Sequence, residues 1–149
     1  MSPPPIAQVC APSHVAIEVS DLDRSIAFYA EVLGFEIFHD NRKSLHQASV
    51  KGVVANFGVE IAQARSAPHV SGRRPVGTPA GCPCLSFSVS NIDEAFEGLK
   101  ARGHVEASAP SEIRGVRFFY VFDPDGQAIE LIQFPSPLKV LADLRSDRG

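Results

Sequence analysis

The chain has 149 residues, of which 44% are hydrophobic and 21% are charged, and its formal net charge is −3. That length and composition fit a single globular domain with its own apolar core, and they exclude wholesale disorder. The acidic balance excludes the broad basic surface that binds nucleic acid through its phosphates. No apolar run approaches the roughly 20 residues needed to span a bilayer, so we expect neither nucleic acid nor a membrane as a partner.

The N-terminal residues 1–12 contain three consecutive prolines and neither a basic stretch nor an apolar one. This pattern predicts a stiff, mobile arm rather than a signal peptide. The chain also has three cysteines, an odd number, which favours reduced thiols over disulfides. We therefore expect a cytoplasmic protein.

An internal repeat is the most informative feature of the sequence. Residues 13–23 align with residues 83–93 at an offset of 70, with three identities. Residues 59–63 align with residues 129–133 at the same offset. Two separate pieces that share one offset predict two equivalent halves.

The first half has the pattern of a strand, a helix and three further strands. Residues 14–19 alternate and are rich in β-branched side chains, which is typical of a strand. Asp21 or Asp23 can cap a helix over residues 24–33, and Gly34 can end it. The predicted apolar face of this helix is Ile26, Tyr29, Ala30 and Leu33. The predicted strands that follow are 35–39, 46–56 and 59–64.

The second half repeats this order. Asn91 caps a predicted helix over residues 93–102, which Gly103 ends. Asp123-Pro-Asp-Gly126 is a strong turn signal between the last two strands. The predicted strands are 104–107, 116–122 and 127–134. The predicted organisation is an N-terminal arm (1–12), one domain (13–134) and a C-terminal tail (135–149). The domain consists of two modules, 13–64 and 82–134, joined by a linker (65–81). The tail is able to form a short amphipathic helix.

Four side chains hold equivalent places in the two halves. His14 and Cys84 open the first strand of each half, and Glu60 and Glu130 lie in the last. A glutamate within an apolar strand needs compensation, because burying an unpaired carboxylate is costly. A divalent metal would supply it, and so would an arginine or a water-filled cavity. Histidine and glutamate are suitable ligands for Mn, Fe, Co, Ni or Zn.

Two motifs carry a resemblance to a known family. They are the Phe-Tyr-x-x-Val-Leu-Gly-Phe pattern within residues 14–35 and the Asp-Pro-Asp-Gly-x-x-x-Glu-Leu pattern within residues 122–131. The chain resembles the vicinal oxygen chelate superfamily, which includes glyoxalase I, extradiol dioxygenases and bleomycin resistance proteins. The resemblance implies an α+β fold: two βαβββ modules forming an open, cup-shaped mixed sheet around a central cleft. It also implies a homodimer.

The resemblance implies a ligand set as well. The glyoxalase I pattern of His, Glu, His and Glu falls on His14, Glu60, Cys84 and Glu130, so three positions match and Cys84 departs. A cysteine binds as thiolate, which would leave the site with a net charge of −1. Thiolate ligation would favour Zn(II) or Fe(II). The alternatives are a non-ligating thiol beside the metal and a small apolar residue at a vacated position.

The implied activity is metal-dependent proton transfer, an isomerisation or epimerisation next to a carbonyl of a small molecule. Glu130 or Glu60 would move the proton, and the protein would be a lyase or isomerase of glyoxalase I type. Two alternatives stay open. One is an extradiol-type dioxygenase, and the other is a metal-free binding protein that sequesters a small molecule or an antibiotic.

Three residues are candidates for contact with substrate: Arg114, Arg117 and His46. The two arginines flank the strand before the turn and could bind an anionic group, with an exposed surface role as the alternative. His46 is predicted to begin a strand that lines the cleft. The aromatic side chains at 118–120 and 122 are expected to lie in the core rather than at the site.

Overall fold

The computed structural model describes residues 11–65, 84–104 and 106–135. The chain divides into two compact units, Met1–His69 and Val70–Gly149. The predicted arm, linker and tail lie outside the described residues, apart from positions 11–12, 65 and 135. Within the described ranges, no helix has the length and apolar character needed to cross a membrane.

The first unit is a four-stranded mixed sheet with one helix. Strand β1 pairs in parallel with β4, and β3 pairs antiparallel with both β4 and β2, so the order is β1-β4-β3-β2. The elements are β1 (His14–Val19), α1 (Leu22–Leu33), β2 (Glu36–Asn41), β3 (Ser49–Val54) and β4 (Phe57–Gln63).

The second unit repeats this architecture with the order β5-β8-β7-β6, in which only β5 and β8 pair in parallel. Both sheets are open, and each unit has the order β-α-β-β-β. The predicted α+β class and the two modules are therefore confirmed. The elements are β5 (Leu85–Ser88), α2 (Ile92–Ala101), β6 (Ser111–Ile113), β7 (Val116–Phe122) and β8 (Ala128–Gln133).

Helix α1 begins and ends at the residues that its caps define. Of the two candidate caps, Asp21 takes the role, since its carboxylate accepts a hydrogen bond from the Arg24 N–H at 3.0 Å. Gly34 adopts the left-handed conformation with φ 68°, and its N–H donates to the Ala30 carbonyl. A residue without Cβ takes this conformation at no steric cost, so the chain turns directly into β2.

The buried face of α1 differs from the predicted one. Ala30 is exposed, and Ile26 and Leu33 are only half-buried. The residues that the helix buries are Leu22, Ser25, Phe28 and Tyr29. The Leu22 N–H donates to the Gln63 side chain at 2.9 Å, which ties the start of α1 to the end of β4. The buried face therefore starts at Leu22 and follows the helical period from there.

The strand predicted over residues 104–107 is wrong. Among the described residues of this segment, Ala107 pairs with β7 through an isolated bridge to Val121, and the edge strand β6 lies further along the chain. Pro110 separates the bridge from β6. Because proline has no backbone N–H, it interrupts the hydrogen-bond ladder and divides the edge into two short pieces.

Each unit builds its own core between helix and sheet. The side chain of Phe96 on α2 packs edge-on against Phe119 of β7, with ring centroids 5.4 Å apart. The largest fully buried apolar side chains are Val19, Tyr29, Val50, Val59 and Ile61 in the first unit, and Ile92, Phe119, Val121 and Ile129 in the second. These cores leave the opposite faces of the central strands for polar side chains.

Candidate metal and proton-transfer site

His14 and Glu60 lie side by side on the paired strands β1 and β4. His14 Nε2 is 3.3 Å from Glu60 Oε2, and His14 Nδ1 contacts the Ser13 hydroxyl at 2.9 Å. The contact with Ser13 occupies one ring nitrogen and leaves the other for Glu60. Gly58 faces His14 across the strand pair, and a Cβ there would lie 2.6 Å from the Ser13 carbonyl oxygen. The absence of a side chain at Gly58 lets the His14 backbone approach β4 closely.

Lys51 completes this group from the third strand. It lies directly opposite Glu60 in the β3–β4 register, and its Nζ is 3.6 Å from Glu60 Oε2. The same carboxylate oxygen therefore meets a ring nitrogen on one side and an ammonium on the other. We refer to His14, Lys51 and Glu60 as the His14 cluster.

Glu130 has a different set of neighbours in the second unit. The Ser86 hydroxyl donates to Glu130 Oε2 at 2.6 Å, and the Tyr120 hydroxyl donates to Oε1 at 3.2 Å. Burial and the negative charge of Glu130 raise the pKa of the Tyr120 phenol above its usual range. Tyr120 therefore keeps its proton at neutral pH and acts as a hydrogen-bond donor. We refer to Ser86, Tyr120 and Glu130 as the Glu130 cluster.

Cys84 lies immediately before β5. The residue is exposed as a whole, and its thiol contacts the Leu85 carbonyl at 3.6 Å. Partial burial of the thiol, followed by the charge of Glu130, raises the pKa of Cys84 above its usual range. The side chain is thus a neutral thiol at neutral pH in the metal-free protein.

The two clusters occupy equivalent register positions. Ala16 faces Glu60 in the β1–β4 pair, and Ser86 faces Glu130 in the β5–β8 pair. On the antiparallel side, Lys51 faces Glu60, whereas Tyr120 faces Glu130. The repeat thus places two carboxylates identically and surrounds one with a cation and the other with neutral hydroxyl groups.

The candidate substrate-binding residues have other contacts. Arg117 binds Asp93 at the start of α2 through two hydrogen bonds of 2.6 and 2.8 Å. This pairing lowers the pKa of Asp93 and raises that of Arg117. Arg114 lies in the turn between β6 and β7 with φ 52°. The prediction that His46 begins a strand is wrong because β3 starts at Ser49, and the His46 carbonyl accepts a hydrogen bond from Arg65.

Three residues of the clusters are not indicated as site residues by any sequence pattern: Lys51, Ser86 and Tyr120. The aromatic run at 118–122 predicts a core position for Tyr120, but its hydroxyl binds Glu130 and the ring is only half-buried. Alternation within β7 is an available signal. Phe119 and Val121 are buried, so Tyr120 points to the opposite face.

The chemical types of the donor atoms at these positions suit a divalent metal. Imidazole nitrogen and carboxylate oxygen suit Mn, Fe, Co, Ni and Zn, and His14 and Glu60 supply one of each on adjacent strands. No group of three or more His, Cys, Asp or Glu side chains in the described ranges is placed to hold a metal ion. Among the predicted ligands, His14 and Glu60 have donor atoms 3.3 Å apart.

Comparison with known proteins gives the family. Residues 11–131 match the model of the Glyoxalase/Bleomycin resistance protein/Dioxygenase superfamily. The match extends from β1 into β8 and includes the four predicted ligand positions. The chain belongs to this superfamily, and the resemblance inferred from the two motifs is confirmed.

Individual relatives agree with this assignment. The uncharacterized protein YwkD of Bacillus subtilis is 31% identical over 121 residues, which are 80% of this chain and 94% of that protein. A probable lactoylglutathione lyase of Vibrio cholerae is 26% identical, over 80% of this chain and 88% of that protein.

A solved structure shows the same fold. A single-substitution mutant of the fosfomycin resistance protein FosX from Listeria monocytogenes superimposes with a TM-score of 0.70 at 20% identity. The alignment covers 90% of this chain and 99% of that chain. That structure contains Mn(II) and 1S,2S-dihydroxypropylphosphonic acid.

Proposed function

We propose that this chain is a divalent-metal-dependent enzyme of glyoxalase I type, which transfers a proton next to a carbonyl of a small molecule. The observation that carries the proposal is the His14–Glu60 pair, in which nitrogen and oxygen donors lie 3.3 Å apart on neighbouring strands. The similarity to a probable lactoylglutathione lyase supports this reaction class, and the Mn(II) bound to FosX supports a metal.

In this proposal His14, Glu60 and Glu130 hold the metal. The metal would supply positive charge that stabilises an oxyanion on the substrate. The protein's own contribution is to orient its donors. Ser13 fixes the His14 ring through Nδ1, and Ser86 fixes the Glu130 carboxylate. Glu60 and Glu130 are the groups of this set that can accept the proton and return it.

Cys84 takes the role of a neutral thiol beside the site. Its raised pKa means that ligation as a thiolate would require the loss of a proton that the metal-free protein retains. A ligand set of one neutral histidine and two glutamates already balances a divalent cation. The proposal therefore does not need Cys84 as a fourth ligand.

The experiment is metal loading followed by an exchange assay. The purified chain is dialysed without chelator and reloaded in turn with Mn(II), Fe(II), Co(II), Ni(II) and Zn(II), and bound metal is measured by elemental analysis. His14→Ala and Glu130→Gln should lose the metal, whereas His39→Ala, which removes an exposed histidine on β2, should keep it. Unchanged occupancy in the first two variants would rule out the proposed ligands.

Activity is followed by NMR in D2O as exchange of the proton next to the carbonyl. The substrates are α-hydroxycarbonyl compounds and the hemithioacetal of glutathione with an α-oxoaldehyde. Exchange that depends on the added metal supports the proposal. A fully loaded protein that neither exchanges this proton nor forms an isomerised product from any of these compounds argues against the reaction class.

One observation favours a second candidate, a metal-free binding protein. Both carboxylates already have partners within the protein: Glu60 forms an ion pair with Lys51, and Glu130 accepts hydrogen bonds from Ser86 and Tyr120. The clusters are therefore compensated without a metal ion. Failure to bind any of the five ions, together with binding of a small molecule that a chelator does not weaken, would favour this candidate.

A further inference from the structure

Lys51 is the one residue of the His14 cluster for which the proposed chemistry has no use. We propose that Lys51 is a tethered cation that competes with the divalent metal for the Glu60 carboxylate and thereby limits the metal affinity of the chain. The inference rests on the proposed function, since it takes His14 and Glu60 as ligands. It goes further by assigning a metal-regulating role to a lysine that neither the motifs nor the ligand pattern includes.

Lys51 and His14 both approach the same oxygen of Glu60, which is the oxygen that a metal held by Glu60 and His14 would use. Lys51 Nζ lies 3.6 Å from Glu60 Oε2, and His14 Nε2 lies 3.3 Å from that same atom. A metal bound to Glu60 through this oxygen would be about 2.0–2.2 Å from it. With the lysine in its present position, the ammonium would then lie within about 6 Å of the metal, and the two positive charges would repel each other.

The position of Lys51 is built into the sheet. Lys51 is the direct cross-strand partner of Glu60, and the adjacent Val50 is fully buried, which turns the lysine to the same face as the carboxylate. The equivalent position beside Glu130 holds the neutral Tyr120. A cation thus accompanies Glu60, whereas the hydroxyl groups of Ser86 and Tyr120 donate to Glu130, so the lysine makes the two repeats electrostatically different.

The size of the effect follows from Coulomb's law. A single and a double positive charge about 6 Å apart repel each other enough to reduce affinity by about tenfold, even in the dielectric of water. The Glu60 side chain is only 21% exposed, which weakens the local screening, whereas the 40% exposed Lys51 side chain can partly move away from a bound cation. Replacing Lys51 with a neutral residue should therefore tighten metal binding by about tenfold.

The test is a Co(II) titration of the full chain, followed by the visible absorption of the bound ion and independent of any activity. Lys51→Met removes the charge and keeps an unbranched side chain, and Lys51→Gln is a second neutral variant in case methionine disturbs the fold. Lys51→Arg keeps the charge. Lys100→Met is the matched control, because Lys100 forms its ion pair with Glu97 on α2.

The inference predicts a Co(II) dissociation constant about tenfold lower in Lys51→Met and Lys51→Gln than in the wild type, with Lys51→Arg and Lys100→Met unchanged. Equal affinity in the wild type and both neutral variants overturns the inference and leaves the proposed function standing. Binding by the neutral variants alone supports the inference and overturns metal dependence of the native chain. Absence of Co(II) binding by every variant overturns both.

Discussion

Gln63 and Gln133 make the same hydrogen bond in the two units. The side-chain oxygen of Gln63 accepts from the Leu22 N–H at 2.9 Å, and that of Gln133 accepts from the Ile92 N–H at 2.8 Å. Each glutamine oxygen accepts a hydrogen bond from the first N–H of a helix, which has no partner within the helix. The bond connects α1 to β4 and α2 to β8, the strand that comes last in the sequence of each unit. The bond therefore holds α1 and α2 on the strands that carry Glu60 and Glu130.

Removal of this bond should destabilise either unit. We expect Gln63→Ala to lower the free energy of unfolding by about 1–3 kcal/mol, because the Leu22 N–H and the Ser20 carbonyl both lose a partner. Gln133→Ala should act in the same direction. The measurement is urea unfolding followed by circular dichroism. Gln63→Glu retains an acceptor and should lose less stability, so an equal loss in both variants would contradict the assigned bond.

The repeat explains why so much of the fold is readable from the sequence. Residues that match at the offset of 70 occupy the same register, as Glu60 does opposite Ala16 and Glu130 opposite Ser86. The helix caps are local signals and are also readable: Asp21 and Asn91 each accept hydrogen bonds from the first turn. Periodicity and capping depend on a few adjacent residues, so they can be recognised without knowledge of tertiary contacts.

The cross-strand partners of the glutamates cannot be read in the same way. They depend on hairpin register, which the turn sets. The β3–β4 turn uses Ala55 with φ 54°, a conformation that nothing in an alanine predicts. Without the register, Lys51 cannot be placed opposite Glu60. The edge strand is misplaced for a related reason, since the interruption at Pro110 matters only once the pairing with β7 is known.

Tyr120 should titrate at unusually high pH in the metal-free protein. Burial and the Glu130 carboxylate raise the pKa of Tyr120, so its deprotonation is expected above about pH 10. The absorbance of tyrosinate reports this directly, because the chain has two tyrosines and no tryptophan. Glu130→Gln should shift the midpoint downward, and Tyr120→Phe should remove that transition.

The raised pKa of Tyr120 also predicts how the free energy of unfolding depends on pH. The folded state holds the phenolic proton more tightly than the unfolded state does. The resulting stability is complete below the unfolded pKa of about 10 and is lost as pH rises through the higher folded value. Tyr120→Phe should therefore show a weaker loss of stability in alkali than the wild type, and identical alkaline profiles would count against the Glu130 contact.

The Arg117–Asp93 pair predicts an effect at the acidic end of the pH scale. The hydrogen bonds from Arg117 lower the pKa of Asp93, so the pair contributes stability above the unfolded pKa and loses it as pH falls through the lower folded value. Arg117→Met should return the carboxyl pKa of Asp93 towards its ordinary value, as measured by NMR. An unshifted titration would show that the pair does not persist in solution.

Arg117→Met also tests the role of the arginine in binding. If the ion pair with Asp93 is the main role of Arg117, the variant should leave the Michaelis constant for an anionic substrate within about twofold of the wild type. An increase of about tenfold or more, equivalent to about 1.4 kcal/mol of lost binding, would instead assign Arg117 to substrate contact.

Ser25 on α1 should be replaceable with a gain in stability. The residue is fully buried, and its hydroxyl oxygen has no hydrogen-bond partner in the described parts of the chain. A buried polar group without a partner costs about 1–3 kcal/mol, and alanine removes that group without adding volume. Ser25→Ala should therefore raise the free energy of unfolding by about 1 kcal/mol, measured by urea unfolding.

Two further variants test whether the gain is specific to removal of the buried Ser25 hydroxyl. Ser90→Ala changes an exposed serine and should alter stability by less than about 0.5 kcal/mol. Ser25→Val adds volume to a filled site and should lower stability, because a close-packed core does not accept extra methyl groups freely. Destabilisation by Ser25→Ala would mean that the hydroxyl makes a bond that holds α1 against the sheet, and the orientation of the helix would then depend on Ser25 as well as on Gln63.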